Sequence, residues 1–219
     1  MNQAAVTIRV LEGEATEMRE LQRVLEEAPT YAHRISGLPP GKADAESTYA
    51  ALPEGKSYDD KFVFGVYRGT EMVGCADLIR GYPRPATAML GLLLISERHQ
   101  RQGIGRRAYG LLEQFVEGWG SCDRIRLGVV RTNELAIPFW TQLGFVATGE
   151  VRPYRYASVT SEVLVFEKLL PDAPVTPDAS TAPAHRPGDE GPPGGAKRLE
   201  PRHARIGAVN SRRDLPSNR

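Results

Sequence analysis

The chain has 219 residues, a formal net charge of +1 and two cysteines. That length suits one substantial domain or two small ones, and the near-neutral balance argues against a general pull toward nucleic acid or membrane. Cys75 and Cys122 match no metal or redox spacing. The opening residues lack a basic stretch followed by an apolar core, and no apolar run approaches the length of a membrane span. The expectation is a soluble cytoplasmic protein with reduced thiols.

Residues 6–11 alternate weakly and predict a first strand. Residues 14–28 predict a helix, with Met18, Leu21, Val24, Leu25 and Ala28 on one face and Glu14 and Glu17 in the first turn. From 29 to 57 the pattern is poor. Pro39-Pro40-Gly41 breaks it, and 44–52 predicts a short second helix. Two readings of this stretch stand: a wall of a substrate site, or a plain surface connection. Residues 62–67 and 72–79 predict a hairpin turning at 68–71, and two prolines mark the next turn at 81–85.

Residues 89–95 form a near-continuous apolar run, suited to a strand buried on both faces. A polar loop over 96–102 follows. Ile104, Ala108, Leu111, Leu112, Phe115, Val116 and Trp119 then make one stripe of a helix about four turns long. Residues 124–130 predict a strand, 134–143 a short helix, and 145–151 and 161–169 the closing strands. This order predicts an α/β domain over 1–170, a single mixed, mostly antiparallel sheet flanked by helices. Its centre is a strand–helix–strand unit between 89 and 130. Residues 171–219 hold nine of the seventeen prolines and no Phe, Tyr or Trp, which predicts a disordered, Pro/Gly/Arg-rich tail.

The junction at Gln100-Arg101-Gln102-Gly103-Ile104-Gly105 places two glycines where a loop becomes a helix. A helix start carries unpartnered N–H groups and about half a positive charge. Glycine lets a ligand approach the backbone. Arg98, Arg101, Arg106 and Arg107 crowd the same turn against a single acid, Glu97. The pattern predicts a phosphate or pyrophosphate site. A P-loop is excluded, because no Lys-Ser or Lys-Thr follows. Gly103, Gly105 and Ala108 match the dinucleotide fingerprint formally. That motif turns straight out of a strand and needs an acid ending the next strand. Here the next strand ends Val129-Val130-Arg131.

Gln100-x-x-Gly103-x-Gly105 between strand and helix resembles motif A of the GNAT superfamily of acyl-CoA-dependent N-acetyltransferases, [RQ]-x-x-G-x-[GA]. About thirty residues on, Asn133-Glu-Leu-Ala136-Ile-Pro-Phe139-Trp140-Thr-Gln-Leu143-Gly144-Phe145 is similar to motif B, N-x-x-A-x-x-[FL]-Y-x-x-x-G-F. The resemblance covers residues 6–170. It implies acetyl-CoA as co-substrate and direct transfer to a small-molecule, peptide or protein amine. It implies neither nucleic acid nor membrane as partner, and it allows a homodimer. Main-chain groups of Arg101, Gln102, Gly103, Ile104, Gly105 and Arg106, next to Gln100, would seat the pyrophosphate. Leu93, Leu94 and Ile95 would bond the pantetheine arm, with one N–H as a small oxyanion site. This requires the two central strands to splay, and Gly91 suits a bulge near that point. Asn133 matches the position that bonds the pantetheine, and it also suits a cap for a helix beginning at Glu134.

Motif B departs from the family at Trp140, where the family has the tyrosine that protonates the leaving thiolate. Indole N–H is a donor and not a usable acid. Trp140 would wall the thioester pocket, and Tyr154 or Tyr156 is the candidate replacement. An inactive acyl-CoA binder is the competing reading. Residues 87–95 contain no Glu. Asp77 is therefore the first candidate base, against a reading as an outward-facing polar residue, and Glu150 the second. His33 is a candidate for the acceptor site, and His99 is expected at the surface. Residues 152–160 and 29–58 would shape the acceptor site.

Overall fold

The computed structural model describes residues 5–171. The tail expected beyond Pro171 lies outside the described residues. The elements run β1 (Val6–Val10), α1 (Ala15–Glu26), α2 (Pro29–Ser36), α3 (Asp44–Ala50), β2 (Lys61–Arg68), β3 (Glu71–Arg80), β4 (Thr87–Ile95), α4 (Ile104–Glu117), β5 (Arg124–Val130), α5 (Ile137–Thr141), β6 (Val146–Tyr156) and β7 (Val159–Leu169). They form one mixed sheet in the order β1-β2-β3-β4-β5-β7-β6. Every neighbouring pair is antiparallel except β4 and β5, which α4 joins as a crossover. No helix among the described residues is long and apolar enough to cross a membrane.

The two faces of the sheet bury different cores. Leu78, Leu90, Ile125, Leu127 and Phe166 pack with Tyr109, Leu112 and Val116 of α4. Val63, Cys75, Leu92 and Leu94 pack with Leu21, Val24 and Leu25 of α1. The stripe read for α4 is the buried one: Ile104, Ala108, Leu112 and Val116 all lie inside. The Glu14 and Glu17 pair forms a capping box at the start of α1, as an acid-rich first turn should.

Three segments differ from expectation. Residues 29–36, expected to be irregular, form α2, with Pro29 at its first turn and Gly37 closing it at φ 73°. Both end signals stood in the sequence, but eight residues are too few for a readable stripe. The expected helix over 134–143 is a 3-10 turn, Arg131–Ala136, followed by α5. The expected loop over 152–160 is mostly strand, with β6 and β7 turning at Ala157 and Ser158. Pro153 is tolerated because β6 is the sheet edge.

The decisive feature is where β4 and β5 part. Their ladder covers Thr87–Leu90 against Arg124–Leu127 and stops. Beyond it, β4 stays with β3 while Gly128, Val129 and Val130 stay with β7. The register of β4 against β3 skips at Gly91, since Leu78 faces Leu90 and Asp77 faces Leu92. That is the expected bulge, and a bulge bends its strand and adds twist. A Cβ at Gly91 would lie 3.2 Å from Asp77 Oδ2, so the glycine admits the neighbouring carboxylate.

Candidate functional site

The splay opens toward the β4–α4 loop. Ser96 N–H donates to the Val73 carbonyl, and Gln100 Nε2 donates to the Ile95 carbonyl at 2.8 Å, which pins the loop back onto its strand. Arg101 and Gly103 both take left-handed backbone, at φ 58° and 76°, and α4 begins at Ile104 without a side-chain cap. Left-handed residues interleaved in a loop turn amide N–H groups toward one concave side, a nest for anions. The uncapped N–H groups of α4 and its dipole point the same way. A Cβ at Gly103 would meet nothing within 4 Å. Its backbone angle, not crowding, selects glycine there, and the space above it is open.

Only part of the expected arginine cluster serves this turn. Arg98 is pulled aside by Glu71 at 2.5 Å and Glu27 at 3.4 Å. Arg106 reaches Gln142, and Gln102 is held by Arg68 and the Arg98 carbonyl. Arg101 and Arg107 remain exposed at the turn. His99, expected at the surface, is half-buried, with Nδ1 2.9 Å from the hydroxyl of buried Ser96.

Above the splay, the β5-facing edge of β4 carries main-chain groups that the β4–β5 ladder does not bond. Leu93 leans on the α4 side and Leu94 on the α1 side. Asn133 sits within the 3-10 turn, and its Oδ1 accepts from Arg34 Nη1 at 3.3 Å. It caps no helix at Glu134. Thr132 Oγ1 also donates to the Arg34 carbonyl, so α2 is docked to this turn.

Trp140 is 7% exposed and lies in the α4-side core. Tyr109, Phe139 and Phe145 meet its ring edge-on, with centroids 6.0, 4.9 and 5.4 Å away. Phe139 is nearer the seat, since a Cβ on Gly105 would touch its ring at 3.4 Å. Tyr109 is a neighbour that neither motif marks. Burial, then its hydrogen bond to Glu113, push its hydroxyl pKa far above the ordinary tyrosine value, so it is no acid near neutrality.

The candidate proton carriers are distributed as follows. Asp77 Oδ1 accepts from Lys61 Nζ at 2.9 Å, and the lysine side chain is 2% exposed. Lys61 is buried and Asp77 partly so beside Gly91, so the aspartate is not an outward-facing polar residue. Glu150 binds Arg126 and Arg152. Burial raises its pKa, but the hydrogen bonds from both arginines outweigh this and hold it below the ordinary value. That leaves it ionised and a weak base. The Tyr154 hydroxyl donates to the Ile35 carbonyl at 2.8 Å, and its ring packs with Ile35, Val130 and Val163, so it fastens α2 to the β6–β7 hairpin. Tyr156, with Tyr31 and Leu94, borders a cleft between α1, α2 and that hairpin. His33 is exposed outside the cleft lining.

A family model described as Acetyltransferase (GNAT) family matches residues 20–145. An acetyltransferase from Thermus thermophilus is 25% identical, with TM-score 0.57, covering 78% of this chain and 100% of that one. The ribosomal-protein-S18-alanine N-acetyltransferase of Escherichia coli is 20% identical, with TM-score 0.55 and coverages of 76% and 94%. Spermidine N-acetyltransferase from Vibrio cholerae, in complex with CoA and spermine, is 18% identical, with TM-score 0.54 and coverages of 75% and 95%. The last two are likenesses of fold. No curated sequence matches significantly.

Proposed function

The chain belongs to the GNAT acetyltransferase family, and from that premise we propose that it moves an acetyl group from acetyl-CoA to a primary amine by direct attack in a ternary complex. One observation carries the reading. The unladdered edge of β4 leads, through a 3-10 turn over Glu97–His99, into the left-handed turn at Arg101 and Gly103. A main-chain strand edge and an anion nest in sequence fit an amide-rich arm ending in a pyrophosphate. CoA is the ligand of the neighbour from Vibrio cholerae.

Main-chain groups from Arg101 to Arg106 would hold the pyrophosphate, and those of Leu93, Leu94 and Ile95 the arm. Bound there, acetyl-CoA supplies an activated acyl group whose thiol has a pKa of about 8.5, so it leaves without a dedicated acid. Trp140 and Phe139 wall the pocket. Lys61 orients Asp77 by holding Oδ1, while Oδ2 lies beside Gly91 at the apex of the splay. Asp77 would take the amine proton through water.

Thiol release from acetyl-CoA across a panel of amines tests the proposal, with turnover of at least one amine expected. Saturable acetyl-CoA binding without turnover would instead support a non-catalytic acyl-CoA sensor. That second reading is favoured by Trp140 at the tyrosine position and by the engaged hydroxyl of Tyr109. Acetyl-CoA should raise the Tm and NAD should not; the reverse sinks both readings.

A further inference from the structure

The cleft bordered by Leu94 describes the acceptor, on the premise that the acetyl transfer proposed above is correct. Leu94 belongs to the part of β4 that β5 leaves, so a molecule in this cleft lies against the strand that would carry the thioester. The apolar part of the wall includes Leu25 on α1, Ala32 and Ile35 on α2, and Leu38 beyond it, with Tyr31 and Tyr156 at its border. Leu25 and Leu94 are 3% and 5% exposed, so the floor is apolar.

Two polar side chains of the wall, Ser36 and Asp44, are engaged within the protein. The Ser36 hydroxyl donates to the Ala32 carbonyl at 2.7 Å and accepts from Leu38 N–H at 3.1 Å. Asp44 is the one charged residue of the lining among the described residues, and its Oδ2 accepts from Gly41 N–H at 3.1 Å. The described lining contains no Arg or Lys to receive an acidic or phosphorylated acceptor. A polyamine needs several carboxylates, and this lining holds only that of Asp44. The space is about 100 Å³, the share of about three waters at roughly 30 Å³ each. Sites for larger ligands reach roughly 300–1,000 Å³. A branched group of three or four carbons fills it.

We propose that the acceptor is an α-amine carried beside one small apolar side chain, and that this cleft holds that side chain while the amine faces β4. The charged groove around Arg126 makes no rival site, because Glu150 and Glu167 already pair its guanidinium.

The test is thiol release from acetyl-CoA by the full chain with glycinamide, alaninamide, leucinamide, glutamic acid α-amide and spermidine. Each buried methylene is worth about fourfold, so kcat/KM should rise on the order of 10²-fold from glycinamide to leucinamide. The glutamic amide and spermidine should stay at or below glycinamide. A tetrapeptide beginning with Leu, run beside leucinamide, tells a peptide terminus from a small amine, and the faster of the two identifies the source. Ala32→Leu fills the cleft and should lower the leucinamide-to-glycinamide ratio about tenfold. Leu38→Ala, at a side chain 50% exposed and so safe for folding, should lower it about threefold. Turnover with a flat amide profile, or with spermidine preferred, overturns this inference alone. Absence of turnover with every amine overturns it together with the acetyl-transfer reading.

Discussion

The lower and upper halves of the β4–β5 pair belong to the same two strands and do opposite things. Below Gly91, Leu90 and Leu127 close a parallel ladder, and charged side chains stitch its flank. Arg126 is 6% exposed and grips Glu150 and Glu167, and Arg124 grips Asp123 at 2.7 Å. Above Gly91 the strands separate, each keeping its outer partner. Polar bonding is spent within the protein in the lower half and left to the main chain in the upper one. Rigid pairing below is what lets the upper edges stay apart at a fixed angle without collapsing together.

Breaking the lower half should cost most in stability and least in binding. Arg126→Met removes a nearly buried cation and leaves two acids facing each other. Stability should drop by about 3 kcal/mol, near the low end for an orphaned buried pair because Glu150 is 38% exposed. For a domain of this size that is roughly 6–12 °C in Tm. Acetyl-CoA affinity, measured by titration well below the Tm, should stay near that of the parent. A large loss of affinity with little loss of Tm would show that the two halves are not separable.

Gly103→Val attacks the upper half alone. The backbone at φ 76° suits a β-branched residue poorly, and the new side chain enters the open space above the turn. Acetyl-CoA affinity should fall about thirtyfold, or about 2 kcal/mol, while stability falls by about 1–2 kcal/mol of strain. Affinity unchanged in the folded variant refutes the proposed pyrophosphate seat. Gln100→Ala is gentler. It loses the bond to the Ile95 carbonyl, worth about 1 kcal/mol. The loop then leaves its strand more often, so affinity should weaken about fivefold, the same energy expressed as a ratio, with Tm nearly unchanged.

The same division explains what the sequence disclosed. The upper half is built from main chain, and main chain of this kind is written in glycine spacing. The special backbone at Gly103 and the bulge at Gly91 could be read because each is a local feature of the main chain. The short α2 escaped because Ile35 and Ser36 are its only buried residues and no stripe forms. The partners of Asp77, Asn133, Tyr154 and Glu150 were illegible for a different reason. Lys61, Arg34, the Ile35 carbonyl and Arg126 lie 16, 99, 119 and 24 positions away, and tertiary pairing at such distances leaves no periodic trace. Trp140 could be seen to depart from motif B, but its burial among Tyr109, Phe139 and Phe145 follows from how α4 and α5 meet.

The smallest expected effect tests whether the ionic flank of the lower half acts through charge. The folded pKa of Glu150 lies below its ordinary value because the hydrogen bonds from Arg126 and Arg152 outweigh the opposing effect of burial. A carboxyl lowered in this way stabilises the fold above its unfolded pKa of about 4.3. That contribution disappears as pH falls through the lower, folded value. Glu150→Gln keeps the shape and removes the charge, so its Tm should lie below that of the parent near neutral pH by an amount equivalent to at most about 1 kcal/mol, the scale for a partly exposed pair. The two melting curves should converge as the pH is lowered through the folded pKa of Glu150, where the parent carboxyl also becomes neutral. A Tm gap that persists unchanged at low pH would mean that Glu150 acts through packing and not through its charge. The charge pairing of Arg126 would then rest on Glu167.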